Sequence, residues 1–276
     1  MNKQSPLAEG QPLHKNHASY FVPGLQRGLR VLEVIAAERR PMTVSEIAAR
    51  LSLSRSSVFR LAYTLQLTGF LEAIEEAKSF TLGARVLNIG FAYLASKDII
   101  EVARGDLEIL RNNTNVSAHL AIRDDREVLY LNCIQTRSGF LSNMNVGARL
   151  PAYATPMGWL LLSDLSNREI ATLFERQVFE PLTDQTPTNL GSLSQCIAEG
   201  IAKGFIISHG IMEAGGSSIA APVFDKAGQV AAAIDISGPD SAFEMDQMQE
   251  RYVSEVVAAA QRISARLGYS PGLARR

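Results

Sequence analysis

The chain has 276 residues, 46% of them hydrophobic, and a formal net charge of −1. That is enough apolar material for two cores and too little net charge for a surface coated to bind nucleic acid nonspecifically. Apolar runs such as 157–162 and 230–233 fall far short of the ~20 residues that cross a bilayer, so no membrane contact is expected. Cys133 and Cys196 stand far apart with no CxxC, which speaks against a disulfide framework or a zinc ribbon.

Residues 1–22 are polar and lack the apolar core of a signal peptide; they read as a disordered leader on a cytoplasmic protein. Leu25, Leu29, Leu32, Ile35 and Ala36 predict a first helix ending before Pro41. Ser45 is expected to cap a short helix over 46–51 whose inner face is Ile47, Ala48 and Leu51. A turn at 52–54 leads to a third helix from Arg55 to about Leu67, capped by Ser54 and ended by Gly69. Val58, Leu61 and Leu65 face inward on it; Ser56, Ser57, Arg60, Tyr63 and Thr64 face outward. Strand-like runs at 70–74 and 79–82 flank the polar tip 75–78, as in the wing of a winged helix-turn-helix.

Charge singles out the same segment. Between Gly24 and Leu67 seven arginines (Arg27, Arg30, Arg39, Arg40, Arg50, Arg55 and Arg60) face three glutamates (Glu33, Glu38 and Glu46), a local +4 that leaves −5 on the rest. A basic module in an acidic chain is the footprint of a DNA-binding domain joined to something else. In a helix-turn-helix the N-terminal part of the second helix meets base edges in the major groove. Arg55, Ser56, Ser57 and Arg60 hold that position, with Gln26, Arg27, Thr43 and Ser45 as backbone contacts. Glu72, Glu75 and Glu76 oppose phosphate in the wing, so Lys78 is its one favourable contact. The rival is a three-helix bundle with merely solvated charges; the wing and the local charge weigh against it.

Residues 83–96 repeat an apolar helical pattern, and Asp98 starts a helix to about Asn112. The expected organisation is a DNA-binding domain over 23–82, a linker helix over 83–97 and a second domain over 98–270. In the second domain, strand–turn–strand pairs are expected at 116–122 with 128–134 and at 218–224 with 229–237. Helical patterns fall at 156–162, 167–175, 193–203 and 248–267. Helices mixed with antiparallel strands make this an α+β domain.

Three stretches carry a resemblance to the IclR family of bacterial transcriptional regulators: GLQRGLRVLEVIA with VSEIAARLSLSRSSVFRLAYTLQLTGFL, VGARLPAYATPMGWLLLSDL, and GFIISHGIMEAGGSSIAAPVFDKAGQVAAAIDISGP. The resemblance implies a winged helix-turn-helix, a linker helix and a GAF-like α+β effector-binding domain, assembled as homodimers or dimers of dimers. It implies double-stranded operator DNA and a small-molecule effector as partners, control of a catabolic operon, and no cofactor. Carried over position by position, the effector site is lined by Leu150, Pro156, Met157, Ser208, Ser218, Asp235 and Ser237. Ile211 replaces the family's glutamate, Trp159 its common lysine and Asp235 a serine. An unpaired aspartate repels an anion, so the expected effector is neutral, hydroxylated or aromatic, with Trp159 or Tyr153 as a ring face and helix packing as the alternative role of Trp159.

Enzymatic candidates are thin, and no catalytic or metal residue is assigned. His119, His209, Cys133 and Cys196 match no metal spacing, which leaves a metal- or redox-responsive sensor as a minor alternative beside a constitutive DNA-binding protein. Ser217 and Ser218 follow two glycines but lack a GxSxG elbow.

Overall fold

The computed structural model describes residues 17–95, 98–136 and 144–270, which divide into two compact units within 1–96 and 97–276. Of the expected leader, residues 1–16 lie outside the described residues and His17–Tyr20 form a short helix, α1, where disorder was expected.

The first unit places α2 (Pro23–Glu38), α3 (Val44–Leu51) and α4 (Arg55–Leu67) around one core of Val31, Ile35, Met42, Ile47, Leu51, Val58, Ala62, Leu71 and Phe80. Ala62 fills the innermost slot on α4, and Leu61 and Leu65, expected inside, are half-buried at its edge. The cap of α3 is Thr43, not Ser45. Thr43 Oγ1 accepts from the Glu46 N–H at 3.3 Å while the Glu46 carboxylate accepts the Thr43 N–H at 2.8 Å, a reciprocal capping box. Ser45 lies inside the helix, exposed. The wing is β2 (Leu71–Ile74) and β3 (Ser79–Leu82), joined by β1 (Met42–Thr43) in the order β1-β3-β2. A two-residue strand has no periodicity to read, so β1 left no trace in the sequence pattern. The helix α5 (Arg85–Ala95) completes this unit.

The second unit is built on a six-stranded antiparallel sheet of order β6-β5-β4-β9-β8-β7. Its elements are α6 (Asp98–Thr114), β4 (Ser117–Asp124), β5 (Glu127–Ile134), β6 (Arg149–Pro151), α7 (Pro156–Leu161), α8 (Asn167–Leu173), α9 (Leu190–Lys203), β7 (Ile206–His209), β8 (Gly216–Phe224), β9 (Val230–Pro239) and α10 (Ser254–Arg266). A single π-helical turn, Met248–Val253, leads into α10. Strands β6 and β7 left no alternating pattern in the sequence, since three and four residues are too few for alternation to show, and β6 was implied only by the resemblance over 146–165.

The helices α6 and α10 pack together and against β4, β8 and β9, and α7 packs on β8, β9 and α9. Ala121, Ala220 and Ala233 present small side chains to α7, so its backbone approaches the sheet closely. Gly158 answers the same demand: a Cβ there would lie 2.1 Å from the Ala152 carbonyl oxygen. This GAF-like α+β arrangement is the one expected.

Candidate functional site

On α4, Ser54 Oγ accepts the Ser57 N–H at 3.2 Å and donates to Ser57 Oγ at 2.9 Å. Ser57 is therefore half-buried and engaged in the cap, whereas Ser56 stands exposed with Oγ 3.1 Å from Ser54 Oγ. Arg55 and Arg60 are exposed and form no ion pair among the described residues. Arg40 and Arg50, by contrast, are held by Glu46 at 2.9 Å and Glu38 at 2.6 Å. Part of the local +4 thus falls on Arg55 and Arg60, which have no acid to neutralise them among the described residues. Arg27 is exposed and Gln26 half-buried on α2, Thr43 is occupied by the cap, and Lys78 stands exposed at the wing tip beside Glu75 and Glu76.

The register of the second unit brings four serines into one row. Ser208 on β7 pairs with Ser218 on β8, Ser218 with Ser237 on β9, and Ser237 with Ser117 on β4. Because side chains alternate, all four share one sheet face. They line a cavity of about 360 Å³ together with Tyr130, Met144, Ile211, Met212 and Glu213, among others. Among the described residues Glu213 is the one charged side chain in that lining, and no described lysine, arginine or histidine contributes to it. Ser208 Oγ and Ser218 Oγ lie 2.9 Å apart. Such a pair spends one of its two protons internally and offers the other.

The next row on the same face is Ala220, Asp235, His119 and Cys133. His119 is fully buried, its Nδ1 2.7 Å from Asp235 Oδ1 and 3.3 Å from Ser237 Oγ. The expected unpaired aspartate is thus a paired one. A bulge at Leu120/Ala121 moves Tyr130 onto this face, where its ring meets His119 edge-on at 5.8 Å. Burial, with the nearby Asp235 charge, pushes the Tyr130 hydroxyl well above the usual phenol range.

Three of the seven expected effector residues, Ser208, Ser218 and Ser237, line the cavity. Leu150, Pro156 and Met157 pack instead into the core between the sheet and α7, and Asp235 lies behind the lining. Tyr153 and Trp159 offer no ring face to the cavity. Tyr153 packs on Phe174 and Phe179, its hydroxyl donating to the Glu180 carbonyl at 3.1 Å, and Trp159 Nε1 donates to the Tyr153 carbonyl at 2.7 Å. Ser117 and Tyr130 were missed because only strand register and the bulge bring them there, and Glu213 because it comes from the loop between β7 and β8.

Ser217 accepts from His209 Nδ1 at 2.7 Å and donates to Asp240. Its proton already points at a carboxylate and its oxygen at a ring N–H, so the imidazole is not placed as the base of a serine nucleophile. Among the described residues no group of three or more His, Cys, Asp or Glu side chains could hold a metal ion, and no helix is long and apolar enough to cross a membrane.

Residues 24–74 match the IclR helix-turn-helix domain, and residues 91–265 match the C-terminal domain of the bacterial transcriptional regulator IclR. The chain is 29% identical to the Pca regulon regulatory protein of Pseudomonas putida across 87% of this chain and 82% of that one. It is 28% identical to the HTH-type transcriptional regulator KdgR of Escherichia coli strain K12 across 87% and 92%. The crystal structure of RHA06195 from Rhodococcus sp. RHA1 superimposes with a TM-score of 0.78 at 30% identity, covering 90% of this chain and 98% of that one. With a winged helix-turn-helix in one unit, a serine-lined cavity in the other and both family domains matched along the chain, this protein belongs to the IclR family of bacterial transcriptional regulators.

Proposed function

We propose that the chain is a cytoplasmic, non-enzymatic regulator that binds duplex operator DNA through α4, with Arg55, Ser56 and Arg60 toward the bases and Gln26, Arg27, Ser45 and Lys78 toward phosphate. Ser57 and Thr43 serve it by capping helices. A small effector enters the cavity lined by Ser208, Ser218 and Ser237 and changes the affinity for DNA. The observation that carries this reading is the cavity itself, about 360 Å³ and faced by a row of hydroxyls, near the lower end of volumes that hold small ligands.

The lining supports a neutral, hydroxylated or aromatic effector. Its hydroxyl row suits polar oxygens, its methionines and isoleucine suit a ring or short carbon skeleton, and among the described residues its lining holds no cation to pair with a carboxylate. The protein acts as a homodimer or a dimer of dimers on paired half-sites and controls a catabolic operon. The domains are taken as 23–82, 83–97 and 98–270, the middle segment being the lever between effector and DNA. The experiment is an anisotropy titration at fixed salt with DNA from upstream of the chain's own gene, comparing wild type with Arg55→Ala/Arg60→Ala, followed by neutral phenols and polyols against simple dicarboxylates. Specific binding lost in the variant and released by a neutral compound supports the reading. A dicarboxylate acting alone refutes the ligand class, and absence of specific binding refutes the DNA role.

A further inference from the structure

Phe59 and Tyr63 stand one turn apart on α4, 56% and 53% exposed, their ring centroids 6.5 Å apart and their planes 20° from parallel. A single exposed apolar side chain needs no explanation. A stacked pair on the outward face of a helix whose other face already fills the core with Val58 and Ala62 does. The pair shares that outward face with Ser56 and Arg60, and Arg60 and Arg55 form no ion pair among the described residues.

Ring surface bordered by uncompensated guanidinium groups matches one environment in particular. In the major groove phosphates and guanine edges take the cations, while the 5-methyl group of thymine is the apolar feature that a ring can cover. Phe59 lies nearer the N-terminus of α4, the end that meets base edges in a helix-turn-helix, and Tyr63 buttresses it one turn later. We propose that Phe59, held by Tyr63, reads a thymine methyl group, so that the operator preference of this chain includes a thymine next to a base contacted by Arg55 or Arg60. This rests on α4 being the DNA-reading helix, and the experiment separates the two.

The full-length chain is used to select a duplex from a randomised library, and each thymine of the selected half-site is replaced in turn by deoxyuridine, which removes the methyl and keeps the base pair. Wild type is expected to bind one such duplex about fourfold more weakly, the factor that burial of one methyl-sized group commands. Phe59→Ala is expected to bind the thymine and uracil duplexes equally, whereas Arg60→Ala weakens both and keeps their ratio. Phe59 is exposed, so the variant should fold, and Phe59→Leu, which keeps apolar surface, should restore part of the ratio. If every uracil substitution is neutral for wild type, or Phe59→Ala still discriminates, the inference is overturned while the role of α4 stands. An equal loss on both duplexes in Phe59→Ala alone, with wild type indifferent to uracil, overturns it in favour of a protein-facing role for the pair. If Arg55→Ala/Arg60→Ala also binds like wild type, the assignment of α4 itself falls.

Discussion

His119 Nδ1 lies 2.7 Å from the Asp235 carboxylate, with the two side chains 0% and 7% exposed. The pair joins two central strands, β4 and β9, directly behind the hydroxyls that line the cavity. Removing one partner strands the other out of reach of water. His119→Ala is expected to cost about 3–5 kcal/mol, read as a lower urea midpoint with an unchanged slope. A cost below 1 kcal/mol would show that the carboxylate finds another partner.

Asp106 ties α6 to α10. Its carboxylate is 1% exposed, with Arg262 Nε 2.6 Å from Oδ1 and Arg266 Nη1 2.9 Å from Oδ2. The second contact lacks hydrogen-bond alignment, since Arg266 Nη1 donates to the Val102 carbonyl at 3.1 Å. The arginines are 42% and 53% exposed, so either can be lost while the other still serves the acid, at about 1 kcal/mol or less each. The double variant Arg262→Ala/Arg266→Ala leaves a buried charge with neither cation, and its cost should exceed the sum of the singles. Additive chemical-denaturation data would contradict this.

Glu46 carries a pH dependence of the first unit. The Thr43 backbone N–H and hydroxyl, aided by Arg40, hold its pKa at about 2 against an ordinary 4.5. A depressed acid contributes stability that is present above its unfolded pKa and lost as the pH falls through the folded one. The Tm of the winged-helix unit should therefore fall between about pH 4.5 and pH 2, and Glu46→Gln should flatten that decline. A curve identical to wild type would mean that the capping box does not persist in solution.

Some of this was legible in the sequence and some was not. Ser54, Arg55 and Gly69 announced α4 because caps and breakers act through local backbone chemistry. Thr43 was passed over for Ser45 although Glu46 three residues on completes the box with Thr43 alone; here the signal existed and was misread. The row Ser208, Ser218, Ser237 and Ser117 is different in kind, since each position depends on a pairing between strands distant in the chain. A bulge that turns Tyr130 to the other face cannot be read from alternation, which it interrupts. Asp235 was expected to line the effector site and lies behind the cavity lining instead, and its partner was invisible because His119 is 116 residues away.

Cys133 provides a test of the redox alternative. Burial, reinforced by the nearby Asp235 charge, pushes its thiol up to about 12 from an ordinary 9, and burial also raises Cys196. The thiolate is the reactive form, so neither cysteine should be alkylated by iodoacetamide at pH 7.5 in the native protein, and both should react in urea. The sign also fixes an alkaline limit: the unfolded thiol ionises first, so stability should decline as the pH rises from about 9 to about 12. Rapid native labelling of Cys133, with a change in DNA affinity, would instead place a reactive switch beside the cavity.

The wing and α4 should respond differently to salt. Lys78 stands exposed among Glu72, Glu75 and Glu76, three negative charges that repel phosphate against the one ammonium that attracts it. Lys78→Ala should therefore weaken DNA binding about equally for specific and random duplexes and reduce the salt slope by about one unit. Glu75→Gln/Glu76→Gln should strengthen both by relieving the repulsion, without sharpening preference. Arg60→Ala should narrow the gap between the specific and the random duplex, because a guanidinium on base edges discriminates where one on phosphate does not. Should Lys78→Ala instead erase the preference while Arg60→Ala leaves it, the reading element would be the wing, and the unpaired arginines of α4 would be phosphate clamps.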